Sequence, residues 1–193
     1  MTPLRQVRAR FDAHTITLYQ AFSPAIADAA VRAQRFVAPF SVERMTWVKP
    51  SFLWMMERCG WATKPNQERV LAVRLPRERF EALLAQAVLT TVERGDADAW
   101  RAALAGSPVR VQWDPERGLR GEKRSVRSLQ VGIGRPLAAD YAAWVTGLDD
   151  VTPLVKRLAA LRRDGEWDRA ERLLPVERAY PLPDAIARRL GAA

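Results

Sequence analysis

The sequence predicts one α+β domain spanning its 193 residues. Three observations carry that prediction. Short runs alternating apolar and polar residues fill the first two-thirds, with helical patterns set between them. From Pro136 onward only the helical period persists. No repeat or low-complexity segment interrupts a composition of 48% hydrophobic and 27% charged residues, which suits a chain with a real core. The expected organisation is a sheet-containing core over residues 1–135 and a helical C-terminal layer over residues 136–193.

Taken in order, residues 5–11 alternate weakly and read as an opening strand, and Asp12-Ala13-His14 as a turn. Residues 15–21 alternate hydroxyl and apolar side chains, so the two runs could form a hairpin. Ser23-Pro24 is an N-cap followed by proline at the first helical position. The helix it opens runs to about Gln34, with Ile26, Ala30 and Val31 inward. A loop over residues 36–43 leads to a strand at 45–48 and a helix at 51–59 that Gly60 stops. Residues 69–75 alternate as a strand, Pro76 starts a helix around Phe80, Leu83 and Leu84, and residues 87–92 form a short strand. A helix over 96–105 turns Trp100 and Leu104 inward. Residues 109–113 form a strand ending in the turn Asp114-Pro115-Glu116-Arg117-Gly118. After a basic loop, residues 125–133 form a strand with Arg127, Leu129, Val131 and Ile133 on one face and Ser128 and Gln130 on the other. Helices follow at 137–145, 151–161 and 167–174, and an extended Tyr180-Pro181-Leu182-Pro183 precedes a last short helix.

The stretch from Arg44 to Lys64 concentrates the chemistry. It holds three of the seven tryptophans and three of the four methionines around Arg44, Thr46, Lys49 and Ser51. Pro50 cannot continue a strand but suits a first helical turn, so strand and helix meet between Lys49 and Ser51. Free backbone N–H groups, a positive dipole end, an ammonium and a hydroxyl come together there, as an anion site needs. The same residues also read as a plain strand–helix joint with an aromatic core packed on it.

Charge points the same way. The formal net charge is +9, and residues 1–64 hold nine basic against four acidic groups. A second cluster runs Arg117, Arg120, Lys123, Arg124 and Arg127, opposed only by Glu122. Such an excess favours a polyanionic partner, nucleic acid or a phosphate-bearing cofactor. Arginine and alanine are abundant throughout, so part of it reflects composition alone.

Several classes lose support. No apolar run nears the roughly 18 residues of a membrane span, and no signal-peptide core follows the N-terminal arginines, so cytoplasm is the expected compartment. One histidine, His14, and one cysteine, Cys59, make a zinc site or a histidine-based nucleophile poor readings, and no metal is expected. Neither glycine-rich phosphate-loop pattern occurs. Chemistry would then rest on positioning and electrostatics. Glu116, beside Gln112 and Trp113, is the best single catalytic carboxylate, and Gln130, between Leu129 and Val131, is the plainest polar residue on a strand built for burial.

The blocks Arg5-Gln6-Val7-Arg8-Ala9, Thr15-Ile16-Thr17-Leu18-Tyr19-Gln20-Ala21-Phe22, Arg44-Met45-Thr46-Trp47-Val48-Lys49-Pro50-Ser51-Phe52-Leu53-Trp54-Met55, Gln112-Trp113-Asp114-Pro115-Glu116-Arg117 and Arg127-Ser128-Leu129-Gln130-Val131-Gly132 resemble, in succession, those of the domain-of-unknown-function 4291 family. The resemblance covers nearly the whole chain. More distantly, the chain resembles ADP-ribosyltransferase-like folds, α+β domains with a split, twisted, mostly antiparallel sheet that bind NAD between the sheet halves. That likeness implies an early-strand role for Arg8 (or Arg5), a strand–helix role for Thr46 or Ser51, and a late-sheet role for Glu116 or Gln130. It also implies ring stacking by Tyr19 or Trp47 and pyrophosphate binding by Arg44 or Lys49. The implied function is metal-independent transfer of ADP-ribose from NAD, with nucleic acid the favoured acceptor through Arg117, Arg120, Lys123, Arg124 and Arg127. Three other classes stay open: a non-enzymatic nucleic-acid-binding module with Trp47, Trp54 and Trp113 as stacking platforms, a phosphate-processing transferase on RNA ends, and an interaction protein.

Overall fold

Two sheets and the joint between them organise the chain. The computed structural model describes residues 5–91 and 96–192. Strands β1 (Arg8–Ala9), β2 (Thr15–Phe22), β3 (Thr46–Val48), β4 (Arg69–Pro76), β5 (Val88–Leu89), β6 (Val109–Arg117), β7 (Lys123–Ile133), β8 (Gly147–Asp150) and β9 (Arg178–Ala179) alternate with eight helices among the described residues. The helices are α1 (Pro24–Ala33), α2 (Phe52–Cys59), α3 (Arg77–Ala85), α4 (Ala97–Gly106), α5 (Arg135–Trp144), α6 (Thr152–Arg163), α7 (Trp167–Leu173) and α8 (Asp184–Leu190). One sheet has the order β2-β4-β8, another β3-β7-β6-β5, and β1 pairs with β9. Every pairing is antiparallel except β5 with β6. The expected α+β class is the one observed.

The two larger sheets join where Tyr19 and Lys49 exchange backbone hydrogen bonds, Tyr19 N to Lys49 O at 2.7 Å and Lys49 N to Tyr19 O at 3.1 Å. Pro50 ends β3 at once, and Ser51 caps α2 by accepting from Trp54 N at 3.3 Å. Gly60 closes that helix in the left-handed conformation the sequence implies, at φ 59°. Alternation along β4 gives the β2-β4-β8 sheet two buried faces. Leu71, Val73 and Leu75 join the larger core, while Val70 and Ala72 face a second core of Tyr19, Phe52, Met56, Val155 and Leu158 under α2 and α6.

Several expectations change. Residues 5–11 yield only β1, whose ladder partner is β9 of the C-terminal segment rather than β2. The hairpin survives as a turn capped by the Asp12 carboxylate and a bond from Thr17 N to Arg10 O. The turn placed at 114–118 is strand: β6 runs on to Arg117, and the chain reverses at 118–121 instead. Pro115 is tolerated because β5 pairs only as far as Arg110 and Val111, leaving β6 a single neighbour there, and the ladder shifts register beside it. Helix α4 buries none of its residues, so Trp100 and Leu104 are not core; the Trp100 indole donates to Leu89 O at 2.9 Å. Of the strand expected over 87–92, Val88–Leu89 is observed and Val92 lies outside the described residues. Nor is the C-terminal third helices alone, since it supplies β8 and β9.

A buried polar chain pins the joint from behind. Tyr141 of α5 donates to Gln20 Oε1 at 2.7 Å, and Gln20 Nε2 donates to Thr46 Oγ1 at 2.8 Å and Trp47 O at 3.2 Å. Tyr141→Phe leaves the Gln20 carbonyl without a donor in a buried site and should cost about 1–3 kcal/mol. Urea denaturation should show a lower midpoint with an unchanged slope; an unaltered midpoint would mean the network carries no stability.

Candidate functional site

The sheet joint opens into a cleft of about 680 Å³, within the range of small-molecule sites. Strand β2 brings Gln20, β3 brings Thr46 and Trp47, and Lys49 follows β3; α2 brings Arg58, and β6 and β7 contribute Gln112 and Gln130. Arg44 stands at the exposed rim on the loop before β3. Trp47 is held because its cross-strand partner is Gly132: a Cβ there would lie 2.9 Å from the Trp47 ring. The wall therefore combines three cations, several amides and an indole.

Lys49 is the unusual member. It is 3% exposed, and its ammonium makes no hydrogen bond or ion pair with any described residue. Burial, helped by the nearby Arg58 and opposed by Asp114, lowers its pKa to about 8. Asp114 sits behind the wall, where Gln112 Nε2 donates to its Oδ1 at 2.8 Å and Gln130 Nε2 to its Oδ2 at 2.7 Å. These three residues face one side of the sheet because Gln112 pairs with Gln130 across the ladder, one step from Asp114 and Ser128.

A second, smaller cavity of about 160 Å³ lies at the start of α2. Glu116 is 4% exposed and accepts from Ser51 Oγ at 2.9 Å and from its neighbour's amide, Arg117 N, at 2.8 Å. Ser51 Oγ thus caps α2 by accepting from Trp54 N and ties it to β6 by donating to Glu116. Glu177, from the segment after α7, accepts from Phe52 N at 2.7 Å. Burial and the adjacent Glu116 push Glu177 up to about 8.

The residues singled out in the sequence therefore divide. Arg44, Thr46, Trp47, Lys49 and Gln130 share the cleft, whereas Arg8, Ser51, Glu116, Arg117 and Arg124 line the smaller cavity. Glu116 and Gln130, alternatives for one late-sheet role, open to different cavities. Tyr19 belongs to neither wall: its buried ring packs edge-on against Phe52 at 5.3 Å. Arg120 covers the Trp167 ring at 4.8 Å, Arg127 donates to Trp113 O at 3.1 Å, and Lys123 is exposed at the start of β7. Trp113 is enclosed, its indole donating to Leu190 O at 2.9 Å, so it offers no stacking platform. Among the described residues no three of His, Cys, Asp and Glu are grouped as a metal ion requires.

Two contributors had weak signals and a third had none. Asp114 follows from alternation with Val111 and Trp113 once β6 continues past Pro115. Arg58 lies one helical turn beyond Met55, another residue of the cleft wall. Glu177 has no local signal.

The model of a family described as Domain of unknown function (DUF4291) matches residues 6–180 of the chain. No curated protein matches it. No helix among the described residues is long and apolar enough to cross a membrane.

Lys49 should leave a signature in stability. The unfolded chain holds this proton up to about pH 10.4, while the folded protein releases it near 8. Between those values the unfolded state binds more protons, so stability rises with pH. Lys49→Met should remove that rise and be at least as stable as the parent at pH 7. Denaturation curves from pH 7 to 10.5 test this, and an identical slope in the variant would exclude a strained lysine.

Proposed function

The chain belongs to the domain-of-unknown-function 4291 family, and we propose that it transfers ADP-ribose from NAD, with nucleic acid as acceptor. One observation carries the reading: an uncompensated, buried lysine faces a cleft between two sheets, flanked by Arg44 and Arg58 and opposite Gln130. A split-sheet domain with its cleft at the joint is also what an ADP-ribosyltransferase-like fold requires.

The residues present fit NAD. Its pyrophosphate supplies the two negative charges that Lys49, Arg44 and Arg58 lack. The indole of Trp47 offers a surface for a ring, and the cleft amides offer donors and acceptors for ribose and carboxamide. When bound, NAD supplies an ADP-ribosyl group whose nicotinamide leaves with the electron pair of the broken bond, while the acceptor atom bonds the ribose carbon and loses a proton.

The chain's contribution is charge and orientation. Asp114 is fixed behind the wall by two glutamine amides, so its negative charge is preorganised to offset positive charge developing on a ribose held in the cleft. With its nitrogen engaged by Asp114, Gln130 keeps its carbonyl oxygen to accept from a ribose hydroxyl. Gln130 rather than Glu116 therefore takes the late-sheet role. Thr46 is held by Gln20 and positions β3. The exposed cations Arg120, Lys123 and Arg124 on the β6–β7 hairpin suit an acceptor's phosphates. They equally suit a non-enzymatic nucleic-acid binder, which would bind with steep salt dependence and tolerate Gln130→Ala.

Incubation with labelled NAD and separate pools of RNA, DNA and protein tests the reading. Label should move to a nucleic-acid pool with release of nicotinamide, fall about 10²-fold in Gln130→Ala, and fall at least about tenfold in Arg44→Ala. NAD affinity should also weaken as pH rises through about 8, where free Lys49 loses its charge. No released nicotinamide and no NAD-induced thermal shift would end the proposal.

A further inference from the structure

The smaller cavity has a chemistry of its own. Its apolar wall is Phe52, Leu53, Leu174 and Pro175. Its cations already have acceptors: Arg8 donates to Glu177 O at 3.0 Å and Gln6 Oε1 at 3.3 Å, and Arg117 donates to Gly121 O at 3.1 Å and pairs with Glu57 at 3.4 Å. Arg124 is nearest Glu122, at 4.0 Å. The α2 amide that faces the cavity, Phe52 N, is taken by Glu177 Oε1. What remains open is one guanidinium nitrogen, Arg117 Nε, and, on the carboxylates, acceptor atoms. Glu116 Oε2 is buried without a hydrogen-bond partner, and the second oxygen of Glu177 makes no hydrogen bond with a described residue. A buried, unsatisfied carboxylate oxygen is costly unless something completes it.

We propose that this cavity binds a protonated amine or guanidinium on a short aliphatic arm, its N–H groups donating to Glu116 and Glu177 while the arm packs on Phe52, Leu53, Leu174 and Pro175. The head supplies the donors that the open carboxylate oxygens lack, and the arm matches the apolar wall. Two sources share this chemistry, a free small molecule and a lysine or arginine side chain of a polypeptide. The site is independent of the NAD reading, since it lies at the other end of the Lys49–Ser51 junction and uses none of the cleft residues.

A pH signature follows. The groups facing Glu177 are Glu116 and Arg117 from β6, Arg8 from β1, Arg124 from β7, Tyr19 from β2 and the Phe52 amide of α2. Burial and Glu116 hold Glu177 protonated at neutral pH, with a pKa of about 8. A cation must displace that proton, so its affinity rises as pH approaches and passes 8.

Calorimetric titration of the full chain with agmatine, n-butylamine, 1-butanol and a capped Gly-Arg-Gly peptide, at pH 6, 7 and 8.5, decides the matter. Agmatine or butylamine binding, or peptide binding, supports the proposal and separates the free from the polypeptide source. Affinity should rise at least about tenfold from pH 6 to 8.5 with proton release, and butanol should not bind. Glu177→Gln should lose at least about tenfold of the affinity at pH 8.5 and all of its pH dependence. Glu116→Gln should lose a similar factor, and circular dichroism should show both variants folded. Absence of binding by all three cationic probes at pH 8.5, equal binding of butanol, or binding unchanged in both variants would overturn it.

Discussion

Two backbone hydrogen bonds between Tyr19 and Lys49 join the two sheets, and most of the architecture answers to that contact. An antiparallel bridge only one pair long cannot merge β2 and β3 into a continuous ladder, because Pro50 follows immediately. The sheets therefore meet at a seam rather than form one surface, and seams are where clefts form. The Gln20–Thr46–Tyr141 chain reinforces the contact from the core side, and the start of α2 from the other.

Helix α2 divides the polar face of β6 into two environments. Toward its own packing face lie Lys49, Gln112 and Gln130, and near its N-terminus lie Ser51, Glu116 and Glu177. Each environment holds one ionisable group whose burial outweighs the opposite charge near it, Lys49 despite Asp114 in the first and Glu177 despite Arg8 in the second. Their pKa values move toward each other for the same reason, since burial disfavours whichever form is charged. Simple packing would have favoured apolar residues at both positions. Strongly shifted ionisable groups in two concave sites are the feature on which both proposals rest.

Local pattern carried much of the architecture. The Lys49-Pro50-Ser51 junction, the Gly60 stop, the alternation along β4 and the basic hairpin are all legible because each depends on neighbours within a few residues. Asp114-Pro115-Glu116 misled for an equally local reason: a proline between two acids is a turn signal, and only the early end of β5 made a strand possible there. Weakly alternating residues 5–11 could not disclose that their ladder partner lay about 170 residues away.

From the sequence came the α+β class and a set of polar residues, Arg44, Thr46, Lys49 and Gln130 with Ser51 and Glu116, that line one or other of the two cavities. Side-chain type, helix capping and strand period are properties of short windows, and short windows suffice for them. Tertiary structure alone decided which of those residues share a site. It separated Glu116 and Ser51 from Gln130 and Lys49 by laying α2 across β6, and it delivered Glu177 from the far end of the chain to the helix start. Such groupings rest on contacts between residues as much as 169 positions apart, set by packing and backbone pairing that no local pattern encodes.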